Sequence, residues 1–485
     1  MAFTDFGIWA IFLPIIFILI CILRKSMRVQ NIILLVASVI FYSLYDIKYI
    51  IFLLLSIVLT WGGGILGNKF GKRIYILAAG ANIFLLLIFK YTGFILGNIN
   101  YLLQPLGYSI TLPSILLPVG LSFFIFQSTT YLFDLYNDKV ELEKNLINYG
   151  LFVAFFPTII SGPIQKSRDM LPQIRKRESI SYRRFQNAFI LFLWGFFLKN
   201  VVADRLALFA NQVFDNYTMY DGMILLLGAV VYSIQIYTDF QGYSCMAIGI
   251  AKALGFDLDN NFNQPYFATN IADFWRRWHI SLTSWFREYV YFPLGGNRKG
   301  IIKKYRNIFI IFLISGLWHG AAWNYLIWGG LHATYQIIGD ATLKYRVRVT
   351  KALNIDRESF AYRLWQRLFV FFIVMIAWIF FRATSLNMAI DYITRMFSTW
   401  NPWILFDGSL ETIGISLKEG YVYLCILTAV FLVSLFREKG KSAMNFIAQP
   451  TVFRYIVYAG LIVSIVVCGI YGPEFSASSF IYAGF

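Results

Sequence analysis

An all-α polytopic membrane protein is the fold class this sequence predicts, on three observations. Hydrophobic residues make up 59% of the 485 and charged residues only 14%, roughly half the charge of a soluble domain. The apolar residues gather in runs long enough to cross a bilayer as helices. Aromatic residues reach 19%, which suits helices with aromatic ends at the two interfaces. The net charge of +17 comes from basic clusters between the apolar runs, where such residues set orientation on the cytoplasmic side. Nucleic-acid binding is excluded as a reading, since no soluble basic domain exists to hold it. Cys21, Cys245, Cys425 and Cys468 are far apart, so neither a disulfide framework nor a CxxC metal motif can be drawn. Three histidines spread over 54 positions lack metal-ligand spacing as well.

Taken in order, the first apolar run, residues 7–23, is followed by Arg24, Lys25 and Arg28. A signal peptide carries its charge before the apolar core and a small-residue cleavage site after it. This run therefore reads as an uncleaved helix with its N-terminus outside. Runs at 31–45, 49–66 and 74–89 follow, with Lys69-Phe70-Gly71-Lys72-Arg73 between the last two, and another span is expected over 115–133.

Residues 149–164 are apolar but contain Phe155-Phe156-Pro157 and Ser161-Gly162-Pro163-Ile164. Proline removes a helical backbone bond, and irregular backbone at membrane depth must be buried in protein or line a cavity. Because 166–184 is again basic, this segment is expected to dip in and return. Spans are expected at 185–198 and 222–237. The polar stretch Asp239-Phe240-Gln241-Gly242-Tyr243-Ser244 then reads as a membrane edge, with Asp239 capping or making a buried hydrogen bond. Apolar segments at 246–254, 368–381, 421–436 and 455–470 complete the chain, and basic flanks keep the C-terminus outside. The count is roughly ten to twelve membrane segments, some broken or re-entrant, in one membrane domain over 1–485.

The chain is organised around residues 273–332, which hold His279, His319 and His332. Ionisable groups within membrane sequence are functional candidates by default. Residues 307–338 are too long for one crossing. As one straight helix they would put His319 and His332 about 20 Å apart on nearly opposite faces. Gly320 and Asn324 make room for a turn, and a tight hairpin or a re-entrant pair fits the charge equally well. Either brings His319 to a turn lined by Trp318, Trp323 and Asn324. An imidazole away from water favours its neutral form and can take the proton of a hydroxyl attacking an acyl carbon. No Ser or Cys stands beside it as a nucleophile, which argues for direct transfer. A hydrogen-bonded core histidine is the other reading.

Residues 273–289 mix Trp275, Trp278, Leu282, Trp285 and Phe286 with Arg276, Arg277 and Arg287, an amphipathic and basic interfacial pattern. Either the arginines rest on lipid phosphates, or Arg276, Arg277, Trp278 and His279 form an entrance that meets the phosphates of an acyl donor. His332, beside Gly329-Gly330, supports the turn or packs between helices.

Arg276-Arg277-Trp278-His279-Ile280-Ser281-Leu282, Pro293-Leu294-Gly295-Gly296-Asn297-Arg298 and Trp318-His319-Gly320-Ala321-Ala322-Trp323-Asn324 resemble the membrane-bound O-acyltransferase (MBOAT) family. The bacterial alginate and peptidoglycan O-acetylases are the most similar branch, and the two proline-bearing motifs and Asp239–Ser244 resemble it too. The similarity covers roughly residues 1–480. It implies helices around a central tunnel, a catalytic role for His319, and a place for His279 toward the donor side. The implied donor is a cytoplasmic thioester, acetyl-CoA or an acylated phosphopantetheine carrier, with no permanently bound cofactor. The implied acceptor is extracytoplasmic: an SGNH-type partner protein and, through it, a cell-envelope polysaccharide. One position departs from the branch, which commonly has an acidic residue where Cys245 stands. A D-alanyl transferase for teichoic acid is the related alternative. A transporter without covalent chemistry is the alternative of another class, disfavoured because no two halves share a repeated pattern.

Overall fold

The computed structural model describes residues 3–23, 25–45, 47–112, 115–412 and 416–471. Met1, Arg24 and Phe485, which the orientation argument uses, lie outside them. Among the described residues the regular structure is helical, with no strand. Seven helices there are long and apolar enough to cross a membrane: Ile47–Phe70, Arg73–Leu106, Tyr182–Asp215, Gly222–Ala253, Phe360–Arg382, Lys418–Glu438 and Thr451–Cys468. Gly7–Ile22 and Met27–Ser43 are shorter apolar helices. Backbone contacts group the described chain into two compact units, one of residues 3–196 and 243–259, the other of 197–242 and 260–471.

The first unit contains α1 (Leu13–Ile22), α2 (Met27–Ser43), α3 (Ile50–Phe70), α4 (Arg73–Leu103), α5 (Leu121–Tyr136), α6 (Leu146–Ala154), α7 (Ser167–Arg175) and α8 (Tyr182–Phe196). On α3 the buried positions are Leu53, Ser56, Ile57, Thr60, Gly63, Gly64 and Gly67, a single face at helical spacing. Small residues there let neighbouring helices approach closely, while Ile51, Leu54, Leu55 and Val58 are exposed, as a lipid-facing side requires. Asn82 of α4 ties three helices together. It accepts from Ser56 Oγ at 2.8 Å and donates to Ser128 Oγ at 2.9 Å and Thr129 Oγ1 at 3.1 Å.

Residues 149–164 do not form one continuous helix. Helix α6 ends at Ala154, and the chain from Phe155 to Lys166 turns irregularly while fully buried. Some of its amides bond within the segment, Ile159 N to the Phe155 carbonyl and Gly162 N to that of Thr158, and others find side chains. Phe156 N donates to Ser38 Oγ at 3.1 Å, Gln165 N to Gln127 Oε1 at 3.2 Å, and Ser167 N to Thr130 Oγ1 at 3.3 Å. In return Gln127 Nε2 donates to the Phe152 carbonyl. Such satisfaction is what allows non-helical backbone in an apolar interior.

The second unit contains α9 (Asp204–Asp215), the start of α10 (Gly222–Ala253), and the short helices α11 (Ile271–Arg277) and α12 (Ile280–Phe286). Then come α13 (Ile301–His319), α14 (Trp323–Ala341), α15 (Leu343–Ala352), α16 (Phe360–Arg382) and α17 (Leu386–Ser398). Of the two roles expected for Asp239, the cap is not made, because α10 is continuous over 32 residues, and the buried bond is. Asp239 is buried within it and pairs with Lys199 Nζ at 2.8 Å; the same ammonium holds Asp204 at 2.6 Å. The charge is met in place, so the helix has no need to end there.

Residues 307–338 are not one straight helix but two helices folded back on each other, as both arrangements open from the sequence require. Helix α13 ends at His319, three residues turn, and α14 returns. The arms lie close because a Cβ at Gly316 would strike the Tyr325 carbonyl oxygen, and one at Gly329 that of Phe312. Any larger residue at either position pushes the arms apart.

Candidate active site

His319 sits at the tip of the hairpin, 1% exposed. Three rings pack on its imidazole: Trp318 at 4.9 Å, Trp328 at 5.0 Å and Phe381 at 5.2 Å between centroids, all nearly edge-on. Asn324 fixes this end of the hairpin. Its Nδ2 donates to the carbonyls of Phe380 (3.2 Å) and Ala383 (2.8 Å), so α14 is tied to the end of α16, which carries Phe381. Trp318 is buried, whereas Trp323, expected in the same turn, is 56% exposed.

The expected interfacial helix over 273–289 is broken at Trp278-His279. His279 has φ +43° and ψ +56°, a left-handed conformation uncommon for a side chain other than Gly or Asn. Residues 261–263 hold the break in place. Ile280 N donates to the Asn261 carbonyl (2.8 Å), Ser281 Oγ to Asn261 Oδ1 (2.6 Å), and Asn263 N to the Arg277 carbonyl (2.9 Å). As a result His279 is fully buried. Its ring is 6.5 Å from that of His319, with Phe240 at 4.7 Å and Trp318 at 5.9 Å. Two histidines separated by 40 positions are thus neighbours.

His332 lies one indole away from His319, since Trp328 packs on both rings at 5.0 Å. Trp275 Nε1 approaches His332 Nδ1 at 3.3 Å. An indole N–H can only donate, so Nδ1 is the acceptor and the proton of the neutral ring resides on Nε2. That Nε2 is buried with no acceptor among the described residues.

Trp278 is 1% exposed, stacked on Phe274 and packed on Trp378 at 4.8 Å. The arginines separate. Arg277 is held between Asp273 (3.1 Å) and Glu438 (2.6 Å). Burial works against its charge, but the two carboxylates outweigh this and hold its proton more tightly than usual. Arg276 is 3.5 Å from Asp273, and its side chain is 67% exposed. It lines a cavity of about 290 Å³ together with Trp275, Phe286, Arg287, Phe312 and Ser315. Ser315 is one turn before His319 on α13, on the same face. The cavity therefore has cationic side chains, an apolar wall, and an inner end pointing along α13 toward the imidazole.

Sequence reasoning missed Phe240, Trp328, Trp378 and Phe381 as neighbours of the histidines. All four lie in stretches the sequence marks out, but an aromatic residue in an apolar run carries no local sign of which distant ring it will meet.

Residues 82–386 match the membrane-bound O-acyltransferase family. The probable alginate O-acetylase of Pseudomonas putida is 36% identical over 416 residues, 84% of this chain and 82% of its own length. The peptidoglycan O-acetyltransferase of Helicobacter pylori is 35% identical over 423 residues, covering 79% of this chain and 77% of its own. A teichoic acid D-alanyltransferase of Bacillus subtilis is 30% identical over only 228 residues, 44% of this chain and 57% of its own. A family match that includes the whole hairpin, with relatives aligned along most of the chain, leads to one conclusion: the chain belongs to the membrane-bound O-acyltransferase family and is a multi-pass membrane enzyme.

Proposed function

We propose that this enzyme transfers an acetyl group from a cytoplasmic thioester to an extracytoplasmic hydroxyl, for O-acetylation of a cell-envelope polysaccharide in a bacterial cytoplasmic membrane. The observation that carries the reading is the pair of O-acetyltransferase relatives aligned over about four fifths of the chain. The D-alanyltransferase similarity covers less than half of it, which favours acetyl over D-alanyl.

In this reading His319 is the general base. Its imidazole takes the proton of the acceptor hydroxyl as the oxygen attacks the thioester carbonyl carbon. The C–O bond forms, the C–S bond breaks, and the imidazolium returns the proton to the departing sulfur. No net proton is consumed. Aromatic rings on its flanks exclude water, which would otherwise hydrolyse the thioester. His279, buried beside it, acts on the donor side, and the Nε2–H of His332 is available to an oxygen entering between the rings. The acceptor is an SGNH-type partner protein or the polysaccharide itself. Radiolabelled acetyl thioester added to the purified enzyme in lipid vesicles tests the reading. Label on an added hydroxyl acceptor is expected, and movement of unmodified substrate without covalent transfer would mean a transporter instead.

The two arginines should behave differently on replacement by lysine. Arg276 lines the cavity, so Arg276→Lys loses a fork able to grip two phosphate oxygens. A higher KM for the donor is expected, with the acceptor KM unchanged. Arg277→Lys should instead lower thermal stability, because it loses the fork that reaches Asp273 from Nε and Glu438 from Nη1. Steady-state kinetics and a melting curve on each variant separate the two outcomes.

Orientation gives a third test. The loops around Lys72, Lys176 and Arg437 should face the cytoplasm, by the excess of basic residues. With the four native cysteines replaced, a cysteine at position 176 should react only with a membrane-permeant reagent. Labelling from outside would mean that residues 149–164 lead the chain across.

A further inference from the structure

A second cavity, of about 370 Å³, adjoins the first and shares Ala272, Lys304, Ile308 and Gln336 with it. Asp340, Arg346, Arg357 and Gln366 stand on its remaining wall. The one carboxylate among them is already engaged: Lys304 pairs with Asp340 at 2.7 Å, and the Tyr305 hydroxyl donates to it at 3.0 Å. That leaves two guanidinium groups without a carboxylate among the described residues. Arg346 donates from Nη2 to the Gly339 carbonyl, and Arg357 lies 6.0 Å from the Tyr362 ring centroid. The Nε of each is buried and meets no acceptor among the described residues. Buried N–H donors left unpaired are costly, and two cations brought to one cavity without a counter-charge repel each other. A bound anion relieves both, and guanidinium forks match phosphoryl oxygens best.

We infer that this second cavity binds a phosphoryl group, gripped by Arg346 and Arg357. The adjoining cavity shows what else the ligand must carry. Lys304, which belongs to both cavities, precedes His319 by 15 residues on α13, about 22 Å at the helical rise of 1.5 Å per residue. A molecule with its phosphate at the arginines and an extended arm along Phe312 and Ser315 points that arm at the imidazole. A nucleotide-linked thioester has this form. An anionic lipid offers the same phosphoryl chemistry, with an acyl chain in place of the thioester arm. The nucleotide source rests on the acyltransferase reading of His319, and the lipid source does not.

The test uses the full chain in nanodiscs of neutral lipid, with adenosine 3′,5′-bisphosphate as the probe. Wild-type protein should bind it saturably, and Arg346→Gln combined with Arg357→Gln should weaken binding by roughly tenfold or more through loss of charge-assisted hydrogen bonds. In the second arm, native mass spectrometry follows retention of an anionic phospholipid by the same two proteins. Nucleotide binding lost in the variant supports the site and makes the donor a free coenzyme A thioester. Lipid retention lost in the variant, with no nucleotide binding, supports the site with a lipid headgroup as occupant. If neither probe distinguishes wild type from a variant with an unchanged melting curve, the inference is overturned. A single Arg346→Lys variant, which keeps the charge, guards against misfolding and should fall between the two. His319→Gln should bind both probes as wild type does, so a failure of the proposed chemistry is distinguishable from a failure of this site.

Discussion

Replacing His319 by Gln should lower acyl transfer by about 100- to 10,000-fold, the range that loss of a general base produces. The amide keeps a polar group among Trp318, Trp328 and Phe381 but cannot take a proton from the attacking hydroxyl. Donor binding should survive, because the cavity lining ends one turn earlier, at Ser315. Single-turnover measurement with purified enzyme makes the distinction. A slow chemical step with normal donor occupancy supports the role, and near-normal turnover rules it out. His332→Gln should act more gently, since an amide can still accept from Trp275 Nε1 and donate in place of Nε2–H.

Removing the charge on Lys199 should be the most damaging single change to stability. Its ammonium stands 2.6 Å from Asp204 and 2.8 Å from Asp239, and all three side chains are at most 5% exposed. Lys199→Met would leave two carboxylates facing each other in an apolar interior. Breaking a buried pair in this way costs about 3–5 kcal/mol, enough to remove much of a protein's net stability. Adding Asp204→Asn and Asp239→Asn to the same variant should recover most of the loss, because a neutral cluster has no stranded charge. Melting curves of the three proteins in detergent give the order directly. If Lys199→Met alone melts like wild type, the cluster contributes no stability.

Much of the fold was legible because lipid imposes a simple rule. The helices Ile50–Phe70 and Thr451–Cys468 stand out as apolar runs since their outer faces must be apolar throughout. His319 stands out for the opposite reason: a titratable group in such a run is costly to bury, which makes it a functional candidate. The partner of Asp239 was not legible, because Lys199 is 40 positions away and no local pattern reveals which distant charge will arrive. The break at His279 carried no Gly or Pro to announce it. It exists because residues 261–263 supply hydrogen-bond partners from outside the helix. The aromatic surround of His319 was hidden too, since an indole in an apolar run reads the same whether it faces lipid or an imidazole.

The irregular stretch from Phe155 to Lys166 has a consequence for how the protein is made. The backbone amides of Phe156, Gln165 and the adjoining Ser167 depend on Ser38, Gln127 and Thr130, and all three lie earlier in the chain. During synthesis these hydroxyl and amide groups have already left the ribosome when Phe156 emerges. The segment can therefore be delivered onto a waiting surface, without an interval in which bare amides face hydrocarbon. A circularly permuted chain that begins at this stretch reverses that order and would expose the segment before its partners exist, so it should insert and fold less efficiently than the natural chain.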